Sequence, residues 1–458
     1  MSRHFDAIII GAGQAGPSLA GRLTQVGKSV ALIERKLFGG TCVNTGCMPT
    51  KAMVASAYAI HTARRGDEYG MTTGPVSVDF ARVMARKEKV RLDARKGVET
   101  WLKGMTNCTV FEGHARFESP TEIRVGDDLI SGEQVFLNVG GRAAIPDFPG
   151  VNDVPFLTNS SIMELGHLPR HLVVIGGSYV GLEFAQMFRR FGSEVTVIEK
   201  GHRLIAREDP DVSDAIRAIL ENEGIRIRLG AECIRFARHK DGVAAGVDCT
   251  SGAPEVIGSD VLLATGRRPN TDDLGVDKAG VKTDGRGYIE VDDFLRTSAP
   301  HIFALGDCNG RGAFTHTSYN DFEIVAANLL DNDPRRVSDR IQAYALYVDP
   351  PLGRAGMTET EARKIGRKLL IGTRPMTRVG RAVEKGETQG FMKVIVDAVT
   401  EEILGASILG TGGDEAIQSI LDVMYAKRPY TTITRAMHIH PTVSELIPTV
   451  FGDLSPAT

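Results

Sequence analysis

FDAIIIGAGQAGPSLAGRLTQVGKSVALIER, residues 5–35, reads as an apolar strand, a glycine turn, a helix and a second apolar strand. Gly11, Gly13 and Gly16 form a GxGxxG turn, and Glu34 ends the second strand. Each part has a physical use in binding a dinucleotide. The first glycine allows the tight turn, the second lets the backbone approach a pyrophosphate, and the third lets helix pack on strand. The helix N-terminus faces the phosphate charge, and a carboxylate about 20 residues further on accepts bonds from a ribose. GxGxxG alone is weak evidence, because other α/β folds have glycine turns; strand, turn, helix and terminal acid together are strong.

The same pattern returns at residues 171–200, HLVVIGGSYVGLEFAQMFRRFGSEVTVIEK. Here Gly176 and Gly181 flank Ser178 at the middle position, Tyr179 follows, and Glu199 ends the strand. Such a long-period echo predicts two nucleotide-binding folds in one chain, not a solenoid. Two folds imply two dinucleotides, one a bound flavin and the other a diffusible hydride donor. Glu199 favours NAD(H), since a carboxylate suits a free 2′-hydroxyl and repels a 2′-phosphate. Lys200, His202 and Arg203 follow it and leave some NADPH use open.

The chain is 458 residues long, about three domains by the usual ~150-residue prior. Its 54 basic and 57 acidic residues give a net charge of −3, which argues against electrostatic nucleic-acid binding. Glycine is in excess, 51 residues where the usual ~7% would give about 32, as expected for many tight turns and close backbone approaches. No apolar run approaches the ~18–20 residues of a membrane span. Arg3, His4 and the Ala7–Ile10 run mimic a secretory leader, but the run is short and Asp6 interrupts it. The expected location is cytoplasmic.

Further along, GFMKVIVDAVTEEILGASILG (390–410) predicts an antiparallel hairpin. EAIQSILDVMYAKRPYTTI (415–433) predicts a helix that ends at Pro429. This tail reads as a separate α+β domain.

Six cysteines are too few for a disulfide scaffold. Cys42 and Cys47 stand out, in GGTCVNTGCMPTK at the start of a helix expected over 52–65. Helix N-termini favour thiolate, and Lys51 adds positive charge. A zinc site would need about four ligands, and no second Cys/His pair accompanies this one. A structural disulfide is the remaining alternative to a redox pair. Cys108, Cys233, Cys249 and Cys308 are expected to be inert packed thiols. The basic run 82–95 is expected to be the solvated face of a helix.

GGTCVNTGCMPTK after such a fold resembles the class I pyridine nucleotide-disulfide oxidoreductases, as do TSAPHIFALGD (297–307) and HIHPTVSE (438–445). The resemblance covers nearly the whole chain. It implies an α/β chain with FAD-binding and NAD-binding Rossmann-type domains and a C-terminal α+β dimerisation domain. The corresponding division is 1–147 for the first part of the FAD domain, 148–268 for the NAD(P)H domain, 269–338 for a central domain and 339–458 for dimerisation.

By the same resemblance Cys42 is the interchange thiol and Cys47 the flavin-side thiol. Lys51 lies by the flavin and pairs with Glu183, and Tyr179 is the gate over the nicotinamide pocket. Asp307 bonds the ribityl chain, and Thr315 and His316 lie near the flavin pyrimidine edge. Gly40, Thr41, Gly140, Gly266 and Gly306 complete the cofactor contacts; the stretch Asn138-Val139-Gly140 departs from the usual Ala-Thr-Gly. His440, oriented by Glu445, is the acid/base, and it serves the cysteine pair of the other subunit of a homodimer. A histidine titrates near 6.5, which suits proton exchange with a thiol. His438 is expected to be structural. Met48, Met53, Ser56, Tyr58 and Arg64 are candidate pocket residues by position alone.

The substrate is less legible. No cysteine follows Cys308, where mercuric reductases carry a C-terminal pair, so mercury handling is disfavoured. Glu199 disfavours an NADPH-dependent glutathione reductase. The expectation is an NAD(P)H-dependent reductase of a small oxidant, disulfide or metal ion. The alternatives are dihydrolipoamide dehydrogenase, alone or serving a multienzyme complex, and a flavin redox sensor without turnover.

Overall fold

The computed structural model describes residues 3–457. The first apolar strand is Arg3–Ile10, the helix after the glycine turn is Gly16–Gln25, and the second strand is Val30–Glu34. They sit in a seven-stranded sheet. Its parallel part runs Cys108–Glu112, Val30–Glu34, Arg3–Ile10, Asp128–Leu137, with Ile302–Ala304 added beyond. The second copy builds a four-stranded parallel sheet in the order Arg226–Arg228, Glu194–Ile198, His171–Ile175, Asp260–Leu263. These central strands are apolar on both faces because helices or a second sheet cover each side.

The two glycine turns match bond for bond. Gly11 N–H donates to Ile33 O at 2.8 Å, and Gly176 N–H to Ile198 O at 2.8 Å. A Cβ on Gly11 would stand 2.3 Å from Asn138 O, and one on Gly176 2.4 Å from Ala264 O. A Cβ on Gly16 would meet Gly11 O at 2.2 Å, and one on Gly181 would meet Gly176 O at 2.1 Å. Backbone contact, not ligand contact, therefore fixes glycine at these four positions.

The match also explains why the second copy tolerates Ser178 where the first has Gly13. A Cβ on Gly13 would stand 2.8 Å from Asn138 Oδ1. That oxygen accepts from Gly16 N–H at 3.1 Å, while Asn138 Nδ2 donates to Leu305 O at 3.0 Å. In the second fold Ala264, whose side chain carries no amide, takes the place of Asn138.

Gly141–Ala143 and Arg267–Pro269 form a two-stranded antiparallel ribbon where the chain leaves and re-enters the first sheet's neighbourhood. A three-stranded meander, Arg235–His239, Gly242–Gly246 and Glu255–Gly258, flanks the second sheet. The C-terminal part is a six-stranded antiparallel sheet with the helix Gly413–Tyr425 against it. Its hairpin is Phe391–Asp397 with Ile403–Leu409, inside the expected 390–410. The following helix stops at Tyr425, earlier than expected, because Lys427 turns left-handed (φ 50°) and Arg428 precedes Pro429.

Two other expectations need correction. The helix Phe80–Lys103 does not present a uniformly solvated basic face. Lys87 is buried and donates to Met163 O at 2.6 Å, and Arg86 donates to Ala52 O at 2.6 Å. Cys233 and Cys249 are not separate inert thiols but form a disulfide. The meander strands Arg235–His239 and Gly242–Gly246 pair antiparallel, which brings their outer ends, and these two cysteines, together. No helix among the described residues is long and apolar enough to cross a membrane.

The turn comparison predicts a coupled pair of substitutions. Gly13→Ser should destabilise the chain by about 1–3 kcal/mol through overpacking against Asn138. In an Asn138→Ala background the added cost of Gly13→Ser should be much smaller, a non-additivity read by denaturant unfolding of the four proteins.

Candidate active site

Gly39 and Gly40 take left-handed backbone (φ 91° and 62°) and fold the cysteine loop onto the first glycine turn. Gly39 N–H donates to Ala12 O at 2.8 Å, and a Cβ on Gly40 would meet Gly13 Cα at 2.9 Å. One helical turn, Gly40–Asn44, carries Cys42; after Thr45 and Gly46 a long helix, Cys47–Arg64, begins. Cys47 is thus the first residue of that helix, which starts five residues earlier than the sequence suggested.

Both cysteines are free thiols and half-buried, and each shifts the acidity of the other. Their acidities diverge. Cys47 is pulled down to about 6 by the hydrogen bond from Cys42, with Thr315 and the Lys51 charge acting in the same direction. Thr315 Oγ1 lies 3.0 Å from its sulfur. The Cys42 thiol is pushed up, by the same hydrogen bond and by burial. The first proton therefore leaves Cys47, and Cys42 keeps its own until a base takes it. In the dithiol form the acidified sulfur is that of Cys47, at the start of the long helix.

Lys51, one helical turn beyond Cys47, makes an ion pair with the buried Glu183 at 2.8 Å. Its ammonium also stands 4.5 Å from the centre of the Tyr347 ring. Glu183 lies on the helix Tyr179–Phe191 of the second fold, and its other oxygen accepts from Tyr347 N–H at 3.0 Å. Three separated stretches of chain therefore meet beside the cysteines.

The cysteines open onto one continuous cavity of about 1950 Å³. Typical ligand pockets span roughly 300–1,000 Å³, so this one has room for more than one dinucleotide-sized ligand. Gly11, Gly13, Glu34, Gly40, Thr41 and Gly140 line it from the first fold, and Asp307, Thr315 and His316 from the segment that returns to it. Gly176, Ser178, Tyr179, Glu183, Glu199 and Gly266 line it from the second fold. Gly16, Gly181 and Gly306 do not face the cavity. The first two pack helix on strand, and a Cβ on Gly306 would meet Ser318 Oγ at 2.6 Å.

The carboxylates at the two strand ends are held alike. Glu34 accepts from Ala12 N–H at 2.9 Å and Lys36 N–H at 2.8 Å; Glu199 accepts from Gly177 N–H at 2.5 Å and Gly201 N–H at 2.6 Å. Each carboxylate has about four acceptor sites, so both can still receive ribose hydroxyls. Gly140 (φ 64°) and Gly266 (φ 118°) line the cavity at matching points, and a Cβ on either would project into open space. Asn44 Oδ1 and the Tyr179 hydroxyl, on opposite sides, are buried without a hydrogen-bond partner. Glycine cradles, oriented carboxylates and orphaned polar atoms fit a flavin dinucleotide on one side and a nicotinamide dinucleotide on the other.

Some groups that bear on the site carry no sequence signal. Asn138 braces the first turn. Arg207 lies over the rings of Tyr179 and Tyr344, at 5.3 Å and 6.0 Å, and makes no ion pair among the described residues, so its charge is free to meet a phosphate. Arg267 pairs with Asp307 at 3.2 Å, while burial pushes the Asp307 carboxyl up. His316 stacks on Phe314 and meets Ala343 O at 2.7 Å; burial lowers its basicity.

His440 and Glu445 stand apart from this cavity. His440 Nδ1 lies 2.9 Å and 3.1 Å from the two Glu445 oxygens, as an oriented acid/base requires. Its side chain is 80% exposed, flanked by Met437 at 98% and Ile439 at 80%. His438 bonds only to Ala436 O, at 3.1 Å. None of the five pocket candidates chosen by position lines this cavity. Met53 is in the core, Ser56 bonds Ala52 O, Tyr58 bonds Glu387, Arg64 bonds Arg190 O, and Met48 is on the surface. Cys108 and Cys308 are, as expected, packed thiols, raised by burial to about 11 and about 12.

Two dinucleotide folds sharing one cavity with a dithiol define a flavoprotein disulfide reductase. The chain belongs to the pyridine nucleotide-disulphide oxidoreductase family, whose model matches residues 5–321, with that family's dimerisation domain at residues 342–451. Family members use FAD with a pyridine nucleotide. A probable pyridine nucleotide-disulfide oxidoreductase of Escherichia coli, RclA, is 37% identical over 98% of this chain and 99% of its own. A dihydrolipoyl dehydrogenase of Thermus scotoductus is 33% identical, over 97% of this chain and 96% of its own. The solved Cu(II) complex of the HOCl-induced RclA from Escherichia coli superposes with a TM-score of 0.89 at 36% identity, over 97% of this chain and 99% of that one.

The acidity of Cys47 is directly measurable. Alkylation of Cys47 in the reduced protein should follow a titration with a midpoint about 6. Lys51→Met and Thr315→Ala should each move that midpoint upward, because each removes a stabiliser of the thiolate.

Proposed function

We propose that the chain is an NADH-dependent homodimeric reductase in which the Cys42–Cys47 pair carries electrons to a small oxidant, disulfide or metal ion. The observation that carries this reading is the acidified Cys47 beside Lys51 and Glu183, on the wall of a cavity that joins both glycine folds. Bound FAD would pass an electron pair from the nicotinamide side to the cysteine disulfide. The other steps fall to the chain. Glu34 holds the flavin ribose and Glu199 the nicotinamide dinucleotide ribose; Tyr179 moves aside for the nicotinamide ring. Lys51 balances the charge that collects on Cys47. Cys42 faces the acceptor, and its raised pKa makes a base necessary, since the thiolate is the nucleophile and metal ligand. His440 of the second subunit, held by Glu445, takes that proton. The exposed Met437 and Ile439 beside it suit burial against a partner chain.

With a disulfide acceptor, Cys42 attacks one sulfur and releases the other as a thiol protonated through His440. Cys47 then displaces the mixed disulfide, so that two electrons leave and the Cys42–Cys47 bond re-forms. With Cu(II), two metal ions would each accept one electron from the same pair, and soft thiolates suit the Cu(I) product. The copper complex of the Escherichia coli relative favours this acceptor class. The relative from Thermus scotoductus supports a second reading, oxidation of dihydrolipoamide in the reverse direction. The proposed division is FAD domain 1–147, NAD(P)H domain 148–268, central domain 269–338 and dimerisation domain 339–458, in a cytoplasmic protein.

NADH oxidation by the purified yellow protein should be strong with Cu(II), hypochlorous-acid-derived oxidants or disulfides other than lipoamide, weak with lipoamide, and lost in Cys42→Ser. NADH should exceed NADPH in kcat/KM by about tenfold or more, and Glu199→Ala should narrow the gap. Dominant lipoamide turnover would support the second reading instead. Shared sites make a sharper prediction for His440→Ala, whose activity should fall by about 10²–10⁴-fold. Mixing it with Cys42→Ser subunits, followed by exchange, should regain activity that neither parent has, because one of the two hybrid sites is intact.

A further inference from the structure

A second pair of cysteines joins the story away from the cavity's thiols. Cys233 and Cys249 form a disulfide at the open end of the meander, with Cys249 exposed and Cys233 half-buried. Each residue's backbone N–H points at the other's sulfur: Cys233 N–H to Cys249 Sγ at 3.2 Å, and Cys249 N–H to Cys233 Sγ at 3.1 Å. A donor aimed at a sulfur stabilises the thiolate that leaves when the bond is opened. Exposure and stabilised leaving groups mark labile disulfides, not inert staples.

Its position is as informative as its chemistry. The segment just before Cys233 is laced to the loop of Glu199. Glu199 N–H donates to Arg228 O at 2.8 Å, Ala231 N–H to Glu199 O at 3.0 Å, and Gly230 N–H to Gly201 O at 2.9 Å. Ile234, just after, lines the cavity at the second fold. Beyond the other sulfur, Thr250 Oγ1 accepts two bonds from the Arg228 side chain, at 3.0 Å and 2.5 Å. Asp248 pairs with Arg235 at 2.8 Å. The disulfide therefore clips the stretch that pairs with the Glu199 backbone to the far end of the meander.

We propose that Cys233–Cys249 is a second thiol–disulfide exchange site, opened by a dithiol, that sets how tightly the second glycine fold grips its dinucleotide. This rests on reading that fold as the NAD(H) site. One thiol of the reductant, as its thiolate, attacks the exposed Cys249 sulfur; the S–S bond breaks and Cys233 leaves as a thiolate held by the Cys249 N–H. The second reductant thiol displaces Cys249 and closes the reductant's own disulfide. Two electrons enter the protein, and the reductant's two protons end on Cys233 and Cys249. Opening frees residues 228–234 from the meander end while Ala231 and Ile234 remain packed in the core, so the change is local. The oxidised form grips the dinucleotide; the reduced form releases it more readily.

The test uses the full-length, flavin-containing protein, air-isolated or treated with dithiothreitol and then desalted under nitrogen. Alkylation and peptide mass mapping report whether Cys233 and Cys249 are linked, and calorimetry reports NAD⁺ affinity. The pair should be linked in the first sample and alkylated in the second. Opening should weaken NAD⁺ binding about five-fold or more, while kcat at saturating NADH changes less than about two-fold. Cys233→Ser/Cys249→Ser should bind NAD⁺ as weakly without dithiothreitol and lose nothing further with it; in Cys42→Ser, which has no second bond for dithiothreitol to open, the reagent should still weaken binding, so the comparison stands even if the double variant misfolds. A pair that is unlinked, that resists excess dithiothreitol, or that opens with no change in NAD⁺ affinity overturns the inference alone. Absence of NAD⁺ binding in both forms overturns the assignment of the fold, and the affinity effect with it.

Discussion

Lys51 and Glu183 meet at 2.8 Å where the cysteine helix, the second dinucleotide fold and the C-terminal segment come together. The carboxylate is buried, the ammonium is about a third exposed, and the remaining carboxylate oxygen takes the Tyr347 amide. Breaking a buried pair by removing one partner leaves an uncompensated charge and costs several kcal/mol, so the three parts are held in one arrangement. The Lys51 charge lies one turn from Cys47 and lowers its pKa. Where the folds meet and which sulfur carries the negative charge are set by the same contact.

On the proposed mechanism that contact also explains why one chain would be an incomplete catalyst. Cys47 holds its charge easily, beside Lys51 and Thr315 and at a helix start. Cys42 does not, because its proton is shared toward Cys47 and burial disfavours a second charge. The attacking sulfur needs a base, and the oriented base this chain offers, His440 with Glu445, lies on its outer surface among exposed apolar side chains. The chemistry of the pair thus points outward, to a second copy, as strongly as the family's dimerisation domain does.

Much of this was legible in the chain because local motifs carry it. Gly11, Gly176 and their following helices report backbone packing that other residues cannot satisfy, so the two folds are readable from spacing. The Lys51–Glu183 pair was reached through resemblance, since residues so far apart carry no local signal of contact. What escaped reading depends on tertiary placement. Asn138 looked like a departure from pattern, yet it fills the space above Gly13 and explains Ser178 in the other copy. Cys233 and Cys249 looked scattered because the hairpin that joins their ends is weakly patterned. Arg207 reaches the Tyr179 ring by cation–π packing, which has no sequence spacing. The pocket candidates Met53 and Tyr58 do not reach the cavity because the helix faces that bear them pack against other parts of the protein.

The central claim is that the Cys42–Cys47 pair stores an electron pair between donor and acceptor. Anaerobic titration with NADH, followed by the flavin absorbance, tests it most directly. The native protein should take up one NADH per subunit before the flavin bleaches fully, the electrons resting on the two cysteines. Cys42→Ser should bleach with that first equivalent. Equal uptake by both proteins, with full bleaching at one equivalent, would contradict the account.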